Sequence, residues 1–406
     1  MNDAVLITGI GAVSPLGVSA AALAARCAAG DSALAPLPGV DGAYGAMVAD
    51  LPLDAIPPEA RTRIGRLDRV CRLFLSAASL AVDDARLDMR HSDAERVGLS
   101  FGTGLGCLLT NAEFNEKVEQ GGPPAASPRL FAYTVSSAAA GEVSIALGIK
   151  GVNVTAHQGF AAGLGALGYG YDLIRSGKAD VVVAGGADAL GNALVQGLAD
   201  MGLLKRVGGA ASLGDCAPGI CPSEGAAVLV LERADHARGR GARGWARIAG
   251  YAAGFEPTLT RRERAPTALV ETMRAALQRS GHTPADVGLV IGSAHATAVD
   301  DIERAALTTV FAGAPPPVVL APKAAWGECF AAHGALCVAL AAAQLREPNR
   351  FEATQVAYES GVREGPPQRP NGERPRRTYA GRSPLVMVHT LCYSGPTVAL
   401  LLAPEE

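Results

Sequence analysis

The sequence has few aromatic and few charged residues. Phe, Tyr and Trp make up 5% of its 406 residues and charged residues 18%, whereas apolar residues reach 49%. A core of this composition is built from small aliphatic side chains, and 49 glycines indicate many sharp turns or close backbone approaches. The length allows one large domain or two fused core units.

Long segments of uniform character are also missing. No apolar run of about 18 residues is free of glycine and charge, so no membrane span is predicted. The N-terminal residues lack the basic region of a signal peptide, which predicts a cytoplasmic protein. The formal net charge is −3, and the short Arg-rich stretch at 369–377 contains two prolines, which is typical of a solvated loop. No nucleic-acid partner is therefore predicted.

Metal and nucleotide signatures are absent from the sequence as well. The eight cysteines are scattered in mostly apolar surroundings, as expected of reduced, buried thiols. Cys216 and Cys221 lie close together, but no second Cys or His pair follows at metal-ligand spacing. Gly102, Gly104 and Gly106 have the spacing of a tight turn rather than of G-x-G-x-x-G. Neither a metal nor another cofactor is predicted.

Apolar periodicity predicts strands that alternate with helices. Such alternation favours an α/β protein with sheets covered by helices. A possible echo of the strand at 5–11 in the strand at 287–293 suggests two similar halves, each with a sheet. The predicted strands are 5–11, 97–103, 151–155, 180–186, 226–232, 246–254, 287–293, 317–320, 383–390 and 397–402. The predicted helices are 19–29, 67–85, 136–147, 161–176, 267–280, 302–311 and 331–345.

Seven segments, spread in order over nearly the whole chain, resemble the β-ketoacyl-ACP synthases, the elongating ketosynthases of fatty acid and polyketide synthesis. They are VLITGIGAVSPLG (5–17), FGTGLG (101–106), SPRLFAYTVSSAAAGEVSIALGIKG (127–151), LIRSGKADVVVAGGADAL (173–190), SEGAAVLVLERADHARGRGA (223–242), PKAAWGECFAAHGAL (322–336) and CYSGPTVALLL (392–402). The resemblance implies a thiolase-like fold with two pseudo-duplicated halves, 1–240 and 241–406. These halves would stack in five layers, α-β-α-β-α.

The nucleophile of the family has no counterpart at its expected place. Active relatives carry T-A-C at the tip of a strand that leads into a helix. Counting without gaps puts the cysteine position at Phe160 in VTAHQGFAAG, whereas a small gap would put Gln158 there. Neither a benzyl ring nor an amide can form an acyl thioester. His157 is nearby, and a hydrogen-bonded core histidine is the favoured interpretation over an acyl carrier.

Other elements of the family's site are altered too. The first family histidine resembles His295 in SAHATAVDD, but the second falls on Glu328, and a carboxylate donates no hydrogen bond to developing negative charge unless it is protonated. Lys323 is retained, and a structural ion pair with Glu328 is at least as plausible as a catalytic role. The gating aromatic position becomes Tyr393.

This combination resembles the chain length factors, which pair with an active ketosynthase α subunit in type II polyketide, aryl polyene or fatty-acyl synthesis. The resemblance implies a heterodimer that works with acyl carrier protein, with strand 151–155 at the interface. Phe131, Tyr133 and Val135 would line the acyl tunnel, unless they are ordinary core residues. The alternatives are a malonyl-ACP decarboxylase or acyltransferase with a rebuilt site, and a homodimeric scaffold that binds acyl carrier protein.

Overall fold

A computed structural model describes residues 4–90, 92–205, 219–257, 265–293, 299–347, 352–353, 377–378 and 383–405. Its strands are β1 (Val5–Ser14), β2 (Gly17–Val18), β3 (Ala35–Pro36), β4 (Tyr44–Gly45), β5 (Val97–Gly102), β6 (Asn153–Ala156), β7 (Val181–Asp188), β8 (Gly225–Arg233), β9 (Ala246–Phe255), β10 (Val287–Ile291), β11 (Val318–Leu320), β12 (Glu352–Ala353), β13 (Arg377–Thr378), β14 (Leu385–Leu391) and β15 (Pro396–Ala403). Most of the longer strands are buried on both faces because helices cover both faces of the sheets. β1 is buried along its whole length, whereas β9 alternates between buried and more exposed residues.

Ten strands form two halves with the same pairing pattern. The order is β6-β5-β7-β8-β1 in the first half and β11-β10-β14-β15-β9 in the second. In each half the first two pairings are parallel and the next two antiparallel. An antiparallel pairing of β1 with β9 joins the halves. The predicted duplication is therefore confirmed, but its proposed echo is wrong: β10 corresponds to β5, and the counterpart of β1 is β9.

The helices are α1 (Ala20–Ala29), α2 (Pro58–Arg61), α3 (Arg69–Asp84), α4 (Leu108–Gly121), α5 (Pro128–Phe131), α6 (Ala138–Leu147), α7 (Ala162–Arg175), α8 (Asn192–Asp200), α9 (Ala234–Gly239), α10 (Thr267–Ser280), α11 (Val299–Val310), α12 (Lys323–Trp326) and α13 (Ala331–Arg346). Helices α7 and α13 pack on each other between the two halves of the sheet, while α3 covers the outer face of the first half and α10 that of the second. This arrangement gives the expected five layers.

Small residues allow the two central helices to approach closely. A Cβ atom at Gly163 of α7 would lie 2.1 Å from the carbonyl oxygen of Ala331, the first residue of α13. Helix α13 is buried on all sides, as expected of a helix with apolar residues around its whole circumference. The two helices begin side by side, and this meeting point positions the candidate site.

Six of the described helices were not predicted from the sequence: the short α2, α5, α9 and α12, and the longer α4 and α8. Helix α4 buries only Thr110, and α8 buries only Val195 and Leu198, so neither shows a broad apolar stripe. Most of the polar segment 347–380 lies outside the described residues. The division of the chain after residue 240 stays a prediction.

The described cysteines are all free thiols. Six of the seven are buried and Cys221 is half-buried, while Cys216 lies outside the described residues. In the described ranges, three or more His, Cys, Asp or Glu side chains nowhere gather in a way that could hold a metal ion. None of the described helices is both long and apolar enough to cross a membrane.

Candidate functional site

The turn between β6 and α7 carries the first group of site residues. After β6 ends, a 3₁₀ turn over Gly159–Ala161 leads directly into α7. Gly159 has φ +56, and a Cβ atom there would lie 2.6 Å from the Cys392 sulfur. Only glycine fits this turn without strain, because the backbone is left-handed and the thiol occupies the space of a side chain.

Phe160 lies in the 3₁₀ turn just before α7, in an aromatic cluster. Its ring centroid is 5.2 Å from that of Phe330 and 5.5 Å from that of Tyr393, at interplanar angles of 65° and 90°. Edge-to-face contacts of this kind are favourable beyond the area that they bury. The Phe160 backbone N–H donates to Cys392 Sγ at 3.3 Å. We call the rings of Phe160, Phe330 and Tyr393 the aromatic trio.

Gln158 and His157 lie outside this cluster. Both side chains are exposed in the isolated chain. The Gln158 amide packs on the surface of α7, where a Cβ atom at Gly165 would lie 2.4 Å from Gln158 Oε1. The expectation that His157 is a buried core histidine is therefore wrong, because β6 is short and His157 follows it at the edge of the sheet.

Glu328 and Lys323 form the predicted ion pair. Lys323 Nζ lies 2.7 Å from Glu328 Oε2, and both side chains are buried, with 7% and 2% exposed. Lys323 also donates to the carbonyl oxygen of Ser293 at 3.1 Å. The other carboxylate oxygen, Glu328 Oε1, accepts the Phe330 N–H at 2.9 Å. A buried pair tolerates loss of one partner poorly, since the remaining charge is left unpaired.

A second buried pair, not predicted from the sequence, lies beside the first. His389 Nε2 is 2.6 Å from Glu303 Oε1, which also accepts the Ser293 N–H at 2.8 Å. Ser293 is thus held on one side by Glu303 and on the other by Lys323. Ser293 is the last described residue before 294–298, and His295 lies outside the described residues. In the sequence, the signal for this pair is Glu303, an acidic residue at an apolar position of α11.

Asp188, at the end of β7, connects three segments and was also missed. Its carboxylate accepts hydrogen bonds from the Thr103 hydroxyl at 2.6 Å and from the N–H groups of Gly104 and Leu105 at 3.0 Å each. It also accepts one from the Ala331 N–H at 2.8 Å. Complete burial raises the pKa of Asp188 to about 6, although the hydrogen bonds oppose this rise. A carboxylate at the end of a wholly apolar strand was the sequence signal.

Phe330 adopts a backbone conformation that is rare for an aromatic residue. Its φ is +52 and its ψ −122, immediately before α13 begins. Such a conformation costs on the order of 1–3 kcal/mol and persists only where the surroundings fix it. Two carboxylates hold consecutive N–H groups here, Glu328 that of Phe330 and Asp188 that of Ala331.

The three candidate tunnel residues have different surroundings. Phe131 and Val135 are 64% and 52% exposed. Tyr133 is half-buried, and its hydroxyl donates to Glu142 Oε1 at 3.0 Å. Burial and the neighbouring Glu142 carboxylate raise the pKa of Tyr133. Tyr133 therefore packs on its own core, whereas Phe131 and Val135 project from the chain.

Strand β6 offers an unpaired edge. Within the part of the chain that the structure describes, β6 pairs with β5 alone. The carbonyl groups of Val152 and Ala156 accept N–H groups at β5, so the backbone groups of Asn153 and Thr155 point away from the sheet. Ile145 on α6 and Tyr169 on α7, the helices that flank β6, are 65% and 41% exposed.

The layers and the strand–turn–helix site define a thiolase-like ketosynthase fold. Residues 2–237 match the family described as beta-ketoacyl synthase, N-terminal domain, and residues 245–349 match beta-ketoacyl synthase, C-terminal domain. The chain belongs to the beta-ketoacyl synthase family.

Named relatives agree with this assignment. The chain is 28% identical over 318 residues to 3-oxoacyl-[acyl-carrier-protein] synthase 2 of Staphylococcus aureus (strain COL), covering 75% of each chain. Two solved structures share the fold over the full length of both chains. They are a type II polyketide synthase acyl carrier protein in complex with its ketosynthase bound to the hexaketide (TM-score 0.85, 21% identity) and the ishigamide ketosynthase/chain length factor (TM-score 0.83, 24% identity).

Proposed function

We propose that this chain is a chain length factor: the non-condensing subunit of a ketosynthase pair, which joins an active ketosynthase and shapes the acyl tunnel. The observation that carries this proposal is the ring of Phe160. It stands at the strand–turn–helix site where relatives would place the nucleophile, and it packs against Phe330 and Tyr393. A benzyl group there leaves no atom to form a thioester.

The surroundings of Phe160 support the same conclusion. Gln158, the other candidate for the nucleophile position, packs on α7 outside the aromatic trio. Glu328, at the second histidine position, accepts hydrogen bonds from Lys323 and from the Phe330 backbone. An ionised carboxylate committed to two donors cannot stabilise an oxyanion. This argues against malonyl-ACP decarboxylation as the activity of this chain.

The partner surface is proposed to be the edge of β6 with its flanking helices. A strand with free N–H and C=O groups is suited to pairing with a strand of another chain. Ile145 and Tyr169 supply exposed apolar area on the two helices that flank this edge, and Phe131 and Val135 add exposed apolar side chains in the segment before α6. Phe131 and Val135 would then enter the partner's tunnel and limit the length of the growing chain. Acyl carrier protein would deliver substrate to the active subunit.

The experiment is co-expression of this chain with a tagged ketosynthase that has an intact T-A-C motif and comes from the same gene cluster. We expect a one-to-one complex by light scattering, and condensation activity only in the complex. Recovery of a stable homodimer with no affinity for any such ketosynthase would contradict the proposal and favour a homodimeric scaffold.

A second candidate function, acyl transfer by a relocated thiol, is favoured by one observation. Cys392 Sγ lies 3.3 Å from the Phe160 N–H and 3.2 Å from Ser394 Oγ, close to the expected nucleophile position. Its burial, with 3% exposed, opposes this role. Intact-mass analysis after incubation with acyl-ACP separates the two candidates, because an acyl adduct on Cys392 would replace the first proposal.

A further inference from the structure

The segment from Gly327 to Ala331 changes direction twice within five residues. Gly327 has φ +82 and Phe330 has φ +52, so two left-handed residues lie close together. The first is a glycine and adopts this conformation easily, but the second is a bulky residue and does not. The side chain or backbone groups that fix Phe330 therefore determine where its ring lies.

Glu328 is the residue best placed to fix it. Its backbone is anchored on both sides, since its N–H donates to the Cys221 carbonyl at 2.7 Å and its carbonyl accepts the Ser223 N–H at 2.8 Å. From this anchored position one carboxylate oxygen reaches the Phe330 N–H at 2.9 Å, and the other reaches Lys323 Nζ at 2.7 Å. Glu328 thus links the segment 221–223 through its backbone to a buried cation and the strained residue through its carboxylate.

We propose that Glu328 is a positioning residue that holds the Phe330 ring against Phe160 and so keeps the former acyl pocket filled. The inference rests on the proposed function and extends it. The exchange of the family's histidine for glutamate would then have two effects. It removes a hydrogen-bond donor from the catalytic site, and it fixes the position of the Phe330 ring. Closing this pocket would direct acyl chains only to the partner's site.

The choice of side chain follows from its hydrogen-bonding capacity. A carboxylate accepts at both oxygens at once and so satisfies the Lys323 ammonium and the Phe330 N–H together. A glutamine accepts at one oxygen and presents an NH₂ group to the other donor. A histidine accepts at only one ring nitrogen. Any replacement of Glu328 should therefore loosen Phe330, and alanine should loosen it more than glutamine.

Cys392 provides the readout. The residue is 3% exposed and its sulfur accepts the Phe160 N–H, so the thiol should react with iodoacetamide only when the aromatic trio opens. Cys27 on α1, which is also buried, serves as the reference thiol in the same molecule, because Cys221 accepts the Glu328 N–H and would itself respond to the substitution. Peptide mapping by mass spectrometry gives both alkylation rates in the full chain, either alone or in the complex with which it co-purifies.

We expect Glu328→Ala to raise the Cys392 rate, relative to that of Cys27, by at least about tenfold, as expected for loss of a hydrogen bond to a charged group. Glu328→Gln should give a smaller increase. Phe330→Leu should raise the Cys392 alkylation rate although Glu328 is intact. If Glu328→Ala does not fold, Phe330→Leu and Glu328→Gln together test the proposal. The matched control is Glu232→Gln, which alters a buried carboxylate that pairs with Arg240 at the far end of β8.

An unchanged Cys392 rate in folded Glu328 variants would overturn the inference. An equal increase in Glu232→Gln would do so as well, because the effect would then reflect general loosening of the fold. Neither result bears on whether the chain binds a ketosynthase, which co-purification measures separately. Failure of the positioning role is thus distinguishable from failure of the proposed function.

Discussion

Replacing Ile145 by glutamate should prevent pairing with the active subunit without unfolding this chain. Ile145 lies on α6 beside the free edge of β6 and is 65% exposed. Burial of a whole isoleucine side chain contributes about 1.5–3 kcal/mol, so covering the exposed part contributes about 1–2 kcal/mol. An uncompensated carboxylate in the same place adds a desolvation cost of about 3 kcal/mol or more.

Together these changes should weaken the complex by about 4 kcal/mol, or roughly 10³-fold in Kd. Sedimentation of the co-expressed subunits over a range of concentrations measures this shift, and a melting curve of the variant reports the fold. The matched control is Met201→Glu, which places the same charge at a residue 63% exposed at the end of α8. If Ile145→Glu pairs as tightly as the control, the proposed interface is wrong.

Three further predictions concern stability and product length. The raised pKa of Asp188, about 6, means that the folded state binds its proton more tightly than the unfolded state. The free energy of unfolding should therefore fall by about 2 kcal/mol as the pH rises from 4 to 6, and by about 3 kcal/mol in all once the pH is well above 6. Denaturant titrations of Asp188→Asn should lack this slope. Gly159→Ala should destabilise the chain by more than Gly177→Ala, because both positions have positive φ but only at Gly159 would a Cβ atom meet a neighbour within 4 Å. Chemical unfolding compares the two variants, and equal losses of unfolding free energy would contradict this account. In the active complex, Phe131→Ala should lengthen the products seen by mass spectrometry. Tyr133→Phe should not, since the Tyr133 hydroxyl bonds within its own chain. Unchanged products in both variants would show that Phe131 does not line the tunnel.

Much of the fold follows from patterns visible in the sequence. The long strands and the helices α3, α7, α10 and α13 have strong apolar periodicity, and their predicted bounds differ from the observed ones by a few residues. Helices α4 and α8 escaped prediction because they bury little. The echo between halves was misplaced because buried strands of similar composition are hard to tell apart without their pairing partners.

The site was predictable where it depends on residues close together in the sequence. It was unpredictable where it depends on residues far apart in the sequence. The ion pair of Lys323 and Glu328 spans five residues on one segment, and it was foreseen. The pairing of Glu303 with His389 and the bridging by Asp188 join residues far apart in sequence. No local pattern reveals such contacts. The exposure of His157 likewise depends on which strand forms the edge of the sheet.

The most direct test of the central claim is a condensation assay with acyl-ACP and malonyl-ACP on the purified complex. Each subunit is altered in turn. We predict that replacing the active-site cysteine of the partner abolishes both product and acyl adduct, whereas Cys392→Ala in this chain leaves the rate within about twofold, since its thiol takes no part in the chemistry. Condensation or a covalent acyl adduct formed by this chain alone would contradict the account.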